Sequence, residues 1–242
     1  MSDSLAFVSD MHLEPGNKQR AEHFGAFLDF IRQGAVRLYI LGDLFDYWVG
    51  HGHDQQPEYR AALVHIRRAV DSGLEVVLLH GNRDFLLNST ITAICGAAVA
   101  GDDLRLNIDG TTVHLCHGDS LCDHDRGQHS LHAALRSRAF RMIYQSCPFF
   151  VRSFLARVLR IISTHCTARK ARHVTSIPDA AIERVFAAGA DVLVCGHTHH
   201  QAQRVIPFGE SSRPLYNLGD WSEDGSYLVY KDGVFRFLHY QW

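Results

Sequence analysis

Histidines, carboxylates and one carboxamide stand in five short turns spread along the chain. In order, the turns are Asp10-Met11-His12, Gly42-Asp43, Gly81-Asn82-Arg83-Asp84, His117-Gly118-Asp119 and Gly196-His197-Thr198-His199. A donor set without thiolates disfavours structural zinc, whereas several imidazoles with a shared carboxylate suit Mn, Fe or Zn in a catalytic pair. The residue types therefore indicate a catalytic metal site.

Each turn alone also has an ordinary structural explanation. Asp10 could cap a helix or turn, Gly42-Asp43 and Gly81-Asn82 are common turn dipeptides, and a lone His117 is more often a core or surface residue. Gly196-His197-Thr198-His199 is the strongest single motif, because alternate residues after a strand point the same way. Five such turns in one chain favour a shared site over five separate turns.

Short apolar runs precede the five turns and predict the strands that position them. The runs are Leu5–Ser9, Val36–Leu41, Leu74–His80, Thr112–Cys116 and Asp191–Cys195. Each is bounded by Gly, Asp or Asn, as buried strands are. Residues just past the carboxyl ends of such strands line the crevice where ligands bind, so we expect the five turns to converge.

Helical spacing of apolar residues alternates with these strands. It predicts helices over Gln19–Gln33, Gln56–Ser72 and Pro178–Ala188. From Gln203 onward, alternating segments and the Lys231-Asp232-Gly233 turn predict antiparallel strands. The expected fold class is α/β, with two stacked sheets flanked by helices rather than one doubly wound sheet.

The stretch from Arg126 to Pro178 differs from its surroundings. It has ten basic residues and no Asp or Glu, so the rest of a chain whose net charge is −2 carries −12. Two amphipathic helices are expected, over about Gln128–Ser146 and Phe149–Arg172, with a break at Cys147-Pro148. This predicts a cationic helical insertion that covers acyl chains or meets an anionic membrane. The alternative is a solvated helical pair whose apolar face packs on the core.

Composition excludes several classes of protein. With 242 residues, 46% hydrophobic and 21% charged, the chain is neither disordered nor fibrous. Its apolar runs are too short for a membrane span, and no leader-like segment precedes Leu5, so a cytoplasmic location is expected. The six cysteines lack C-x-x-C spacing and are expected to be reduced.

The five-turn series, from Asp10 to His199, resembles the signature of the calcineurin-like metallophosphoesterases. The resemblance implies an αββα sandwich of two mixed sheets, with a core of residues 1–125 and 173–242 and an inserted helical lid of residues 126–172. It also implies two divalent metal ions, for which we expect Mn²⁺. One would be held by Asp10, His12, Asp43 and His199, and the second by Asp43, Asn82, His117 and His197.

Arg83 departs from the family pattern, in which His usually follows the Gly-Asn pair and protonates the leaving group. Arg does not give up its proton at any ordinary pH, but it can stabilise charge on phosphoryl oxygens. This favours a pyrophosphate substrate, whose phosphate leaving group needs a general acid less than an alkyl ester does. The catalytic residues implied are Arg83, Asn82 and Asp43.

The turns and the insertion resemble the branch of the family that hydrolyses the pyrophosphate bond of a nucleotide-linked lipid. The resemblance implies substrate contacts from Asn82, Arg83, Asp125, Ser163, Thr167, Lys170 and His197. Thr167 stands where that pattern usually has Asn. The expected partners are the lipid substrate and the anionic inner face of the cell membrane, to which the protein would bind peripherally. We expect a monomer and no nucleic-acid partner.

There are three alternatives to this function, two of them enzymes of the same family. A nuclease could use the basic helical pair along a phosphate backbone, but Phe149, Phe154 and Leu155 suit acyl chains better. A non-catalytic scaffold is disfavoured because all seven ligand positions hold competent residues. A related enzyme acting on another nucleotide-linked lipid or phosphodiester remains open.

Overall fold

The computed structural model describes residues 4–50, 52–122, 144, 147–152, 177–222 and 224–242. The first half of the chain contains β1 (Ser4–Val8), α1 (Lys18–Ile31), β2 (Ala35–Leu41), a 3₁₀ turn (His53–Gln55), α2 (Pro57–Asp71), β3 (Glu75–Leu79), α3 (Ser89–Cys95), β4 (Ala98–Gly101), β5 (Asp103–Ile108), β6 (Thr111–Cys116) and α4 (Asp119–Cys122). The second half contains α5 (Asp179–Ala187), β7 (Val192–Cys195), β8 (Ala202–Phe208), β9 (Ser211–Asn217), β10 (Gly225–Lys231) and β11 (Val234–Tyr240).

These strands form two mixed sheets. The first sheet has the order β11-β10-β1-β2-β3-β4, with β1 to β4 parallel and β10 and β11 antiparallel. The second has the order β5-β6-β7-β9-β8, with β6, β7 and β9 parallel. The parallel strands at the centre of each sheet carry the five turns, so their carboxyl ends set where the site can form.

Three apolar clusters hold the layers together. One joins the first sheet to the helices through Phe24, Phe27, Ile66 and their neighbours. A second lies between the sheets and includes Phe7. A third packs Phe186 of α5 against the second sheet. The expected αββα sandwich is confirmed.

Local chemistry explains where the helices begin. The Asn17 side chain accepts a hydrogen bond from the backbone N–H of Arg20 and caps α1, and Pro57 occupies the first turn of α2. Pro178 was expected inside the first turn of α5, but it precedes the helix with extended ψ, and Asp179 is the first helical residue. The sequence patterns also missed β4, β5 and α3.

Most of the predicted helical insertion lies outside the described residues. Within the described part, residues 149–152 are helical, as expected for the start of the second helix. The Arg152 guanidinium donates to the Val49 carbonyl at 2.7 Å, and the Phe149 ring lies 5.3 Å from the His53 ring. Residues 149–152, which follow the expected break between the two helices, thus pack on the loop that follows β2. The boundaries 126 and 172 stay predictions.

Candidate metal centre

The five turns meet at one edge of the sandwich. The turn after β1 is joined to the turn after β2, because His12 N–H donates to the Asp43 carbonyl at 2.9 Å. The turn after β7 is joined to the turn after β6, because Gly196 N–H donates to the His117 carbonyl at 2.8 Å. The His197 N–H then donates to Asp10 Oδ2 at 2.8 Å, which links the two sheets.

The candidate ligands adopt a backbone conformation that residues other than glycine rarely adopt. Seven non-glycine residues in the described chain have positive φ, and five of them are candidate ligands. These five are Asp10 (55°), His12 (45°), Asp43 (52°), His197 (71°) and His199 (59°). Left-handed backbone is costly for such residues and collects at functional sites. The strain therefore supports a shared role for these five side chains.

Two glycines of the motifs let the turns approach closely. A Cβ at Gly81 would press on the backbone N and the carboxylate of Asp43, and a Cβ at Gly196 would press on Ser9 and the Asp10 carboxylate. No side chain fits at either position without moving a candidate ligand. This explains why glycine precedes Asn82 and His197 in the sequence.

Asp10, His12 and His199 form the first ligand group, with ligand atoms within 4.8 Å of one another. His199 Nε2 lies 3.3 Å from Asp10 Oδ1 and 3.2 Å from His12 Nε2. His12 Nδ1 lies 3.9 Å from Asp43 Oδ2. This arrangement agrees with the ligand set expected for the first ion.

The second ligand group consists of Asp10, Asp43 and His117. His117 Nδ1 is 2.9 Å from the Leu41 carbonyl, to which it can donate, while Nε2 faces Asp43 Oδ2 at 3.7 Å. An imidazole anchored through one nitrogen presents the other as a ligand. Asp10 belongs to both groups, whereas the family resemblance gives the bridging role to Asp43 alone.

Asn82 and His197 border this second group. The carboxamide atom of Asn82 that faces the group lies 2.7 and 3.0 Å from the Asp43 oxygens and 3.2 Å from His117 Nε2. As an amino group it would donate to the carboxylate, and as an oxygen it would be a ligand for a cation. The His197 ring centre is 5.1 Å from that of His117. Among the described residues, His197 is outside both tight groups.

The electrostatics of the cluster favour added positive charge. Burial opposes the charged form of His117, but Asp43, Asp10 and Asp119 together raise its pKa to about 9. Burial likewise opposes protonation of His199, but its contacts with Asp10 and Asp220 raise its pKa to about 10. Carboxylates that draw protons onto buried imidazoles would also attract cations.

The other side chains of the cluster are in the charge states that metal ligands need, neutral for histidine and ionised for aspartate. Burial lowers the pKa of His12 to about 3, and its Nδ1 has no hydrogen-bond partner in the described chain. Burial lowers the pKa of His197 to about 4, with His117 adding to the effect. Burial opposes ionisation of Asp10, yet His117, His199 and His12 hold its pKa well below the usual range. The residues present therefore fit a pair of divalent cations.

Arg83 lies at the rim of the cluster. Its Nη1 donates to Asp46 Oδ1 at 2.7 Å, and its Nε lies 3.4 Å from Asp43 Oδ2. The Arg83 side chain is 32% exposed, whereas Asp43 and Asp46 are buried. A guanidinium that is partly open to solvent beside the ligands can reach a bound phosphoryl group.

Sequence reasoning missed three acidic side chains that hold the site in place. Buried Asp84 accepts from the backbone N–H groups of Gly81 and Leu44 at 2.8 and 2.9 Å, which ties two turns together. Asp220 Oδ2 lies 3.5 Å from His199 Nδ1 and orients that ring, and Asp46 holds Arg83. Asp84 completes the Gly81-Asn82-Arg83-Asp84 motif and Asp46 lies three residues after Asp43, but sequence reasoning assigned a supporting role to neither.

The other expected substrate contacts lie outside the described residues. Asp125, Ser163, Thr167 and Lys170 all fall there, so their roles stay predictions. Within the described chain, no helix is long and apolar enough to cross a membrane.

Comparison with known proteins agrees with this geometry. The sequence profile of the calcineurin-like phosphoesterases matches residues 4–201. The chain is 35% identical over 225 residues to a UDP-2,3-diacylglucosamine hydrolase of Pseudomonas fluorescens, with 91% of this chain and 89% of that protein covered. It is 36% identical over 224 residues to the hydrolase of that name from Hahella chejuensis, with 91% of each chain covered.

Solved structures show the same fold at low identity. A dimetal phosphatase from Danio rerio superposes with a TM-score of 0.53 and 12% identity, over 98% of this chain and 95% of that one. Both the matched profile and the relatives span most of the chain. The chain belongs to the calcineurin-like phosphoesterase family.

Proposed function

We propose that the protein hydrolyses the pyrophosphate bond of UDP-2,3-diacylglucosamine, giving UMP and 2,3-diacylglucosamine 1-phosphate in lipid A biosynthesis. The observation that carries the proposal is Arg83, held beside a full set of metal ligands in the place where the family usually has His. The hydrolases that are about 35% identical over nine-tenths of the chain support the substrate.

The side chains of the site have different roles in phosphoryl transfer. When bound, two divalent cations would neutralise charge on the phosphoryl oxygens and acidify the attacking water. Asp10 and Asp43, both buried, would hold them with His12, His117, His197, His199 and Asn82. Because Asp43 also accepts from the Arg83 N–H at 3.0 Å, the ligand cluster and the rim are fixed to each other.

Arg83 acts on charge and not on protons. Its guanidinium stays protonated, so it can donate hydrogen bonds to a phosphoryl oxygen that becomes more negative in the transition state. A leaving group that departs as a phosphate ester needs no proton from the protein. The proposal therefore predicts cleavage of a P–O–P linkage in preference to a phosphomonoester.

Turnover of UDP-2,3-diacylglucosamine with product analysis tests this function. UMP and 2,3-diacylglucosamine 1-phosphate are expected, at a rate well above that for a generic aryl phosphodiester, and the Asp43→Ala variant should release neither. Release of UDP would place the cut at the sugar and contradict the proposal. Equal rates on both substrates would favour a general phosphodiesterase.

We propose Mn²⁺ as the native metal, because the donor set mixes imidazole with oxygen ligands, whereas Mg²⁺ prefers oxygen alone. Activity after chelation should return best with Mn²⁺ and more weakly with Mg²⁺. Full activity in a protein shown by metal analysis to be empty would rule out the mechanism.

We also propose that the insertion binds the lipid half of the substrate and brings a monomer to the anionic inner face of the cell membrane. The support is its charge, ten basic residues and no acidic ones between 126 and 178. Just after the expected break between its helices, Phe150 is 73% exposed and offers an apolar ring to a lipid. Asp125, Ser163, Thr167 and Lys170 are proposed to contact the sugar and phosphates.

A further inference from the structure

We propose that Asp46 is a positioning residue that aims the Arg83 guanidinium at the phosphoryl group, an inference that rests on the proposed pyrophosphate hydrolysis. Asp46 is 2% exposed and accepts from Arg83 Nη1 at 2.7 Å. On the same guanidinium, Nε faces Asp43 Oδ2 at 3.4 Å. Among the described residues, no acceptor engages Nη2. The two acids thus hold two of the three nitrogens and leave the third for a ligand.

Backbone hydrogen bonds near Asp46 fix its position relative to Arg83. Asp46 N–H donates to the Leu13 carbonyl at 2.8 Å, and Trp48 N–H donates to the Arg83 carbonyl at 3.0 Å. The segment that carries the acid is therefore bonded both to the turn after β1 and to Arg83 itself. A long arginine loses much rotamer freedom when it is ordered, so a fixed acid beside it lowers that cost before substrate arrives.

Without Asp46, the nearest acid to Arg83 would be Asp43. A guanidinium that turned fully onto Asp43 would compete with the cations for that carboxylate and would withdraw its donors from the substrate. The Asp46 carboxylate engages a different nitrogen of the guanidinium, Nη1, and so keeps Arg83 at the rim. A positioning role of this kind depends on the presence of Arg83, whereas a purely structural role of Asp46 would not.

A double-mutant cycle separates the two roles. Asp46→Asn keeps the size of the side chain and should lower kcat by about tenfold, with KM changed by less than about twofold, because the lost alignment matters in the transition state. In an Arg83→Ala background the same change should cost less than about twofold. Asp71→Asn, which loses a surface pair with Arg67, is the matched control and should leave kcat unchanged.

The size of the coupling decides between the two roles. A coupling of about threefold or more between the two positions supports the proposal, and any smaller coupling overturns it. If Asp46→Asn does not fold, Asp46→Glu takes its place in the cycle, because the added methylene displaces the carboxylate. The affinity for inorganic phosphate is measured for the Mn²⁺-loaded parent, the two single variants and the double variant, and the same threefold limit on the coupling applies to it. If the parent releases no UMP, the proposed function fails, and phosphate affinity alone then decides the role of Asp46.

Discussion

At the scale of single residues, Asp43 has contacts with most of the site. Its carboxylate faces His117 at 3.7 Å, His12 at 3.9 Å and Arg83 at 3.4 Å. Burial raises the pKa of Asp43 to about 7, while His117 opposes that rise. A carboxylate that is so costly to ionise without a counter-charge is well suited to hold cations.

Asp43→Ala is therefore expected to be the most damaging ligand change. We expect metal content to fall and turnover to drop by about a hundredfold or more, because several kcal/mol of charge stabilisation are lost. Asp232→Ala is the matched control, since Asp232 has φ 51° against 52° for Asp43 but lies in the β10–β11 turn. Metal analysis and rates on both proteins check this. Equal losses would point to backbone strain and not to metal binding.

Arg83→His tests why arginine occupies its position. The imidazole could give a proton to a leaving group but would lose the contact with Asp46. We expect slower pyrophosphate cleavage, by about tenfold, and a relative gain on a phosphomonoester. Rates on the two substrates, compared as a ratio between parent and variant, measure the effect. Faster pyrophosphate cleavage would refute the assignment of Arg83 to charge stabilisation.

At the scale of elements, the close approach of the turns after β2 and β3 limits residue size. Gly81→Ala should displace Asp43 and cost about 1–3 kcal/mol in the free energy of unfolding, together with a loss of metal affinity. Gly34→Ala is the control, because a Cβ there meets nothing within 4 Å. Thermal unfolding and metal titration of the two variants test the expectation. Wild-type metal affinity in Gly81→Ala would contradict it.

The elements also show what the sequence could predict. Apolar runs that end in Gly, Asp or His predicted β1, β2, β3, β6 and β7 with the turns that follow, since both signals are local. β4 and β5 were missed because β4 is four residues of mostly Ala and Gly, which favour strands weakly, and β5 is partly exposed and lacks a continuous apolar run. The αββα layering came from the C-terminal change to alternating segments and from the family resemblance.

The geometry of the site was predictable only in part. The family resemblance of the five turns implied seven ligand residues, but the position of Asp10 within reach of both groups depends on how the two sheets pack. The acids that support the site were also missed. Asp46 lies three residues after Asp43, and Asp220 lies 21 residues after His199. Only the folded backbone brings them to Arg83 and to the His199 ring.

At the scale of the whole molecule, the uneven distribution of charge gives a test of the proposed membrane contact. Arg157 and Arg160 belong to the predicted cationic insertion, outside the described residues. Arg157→Glu with Arg160→Glu should weaken binding to anionic vesicles, most clearly at low salt, because screening is weakest there. Arg184→Glu with Arg236→Glu changes the net charge equally at two exposed sites outside the insertion. Vesicle sedimentation measures the binding of the two double variants, and we expect a larger loss for the variant of the insertion. Equal losses of binding would mean that only net charge matters.

The apolar residues of the insertion predict how affinity depends on the lipid. Each buried methylene of an acyl chain contributes about 0.8 kcal/mol, so affinity should rise steeply with acyl length in the parent protein. Replacing Phe154 and Leu155 with Ser should flatten that dependence while leaving hydrolysis of a small, lipid-free phosphodiester largely intact, because the metal ligands are untouched. KM measured across a series of acyl lengths, with the substrate dispersed in detergent, gives the two slopes. If parent and variant respond equally to acyl length, the acyl chains bind elsewhere, and the insertion is a helical pair that packs on the core.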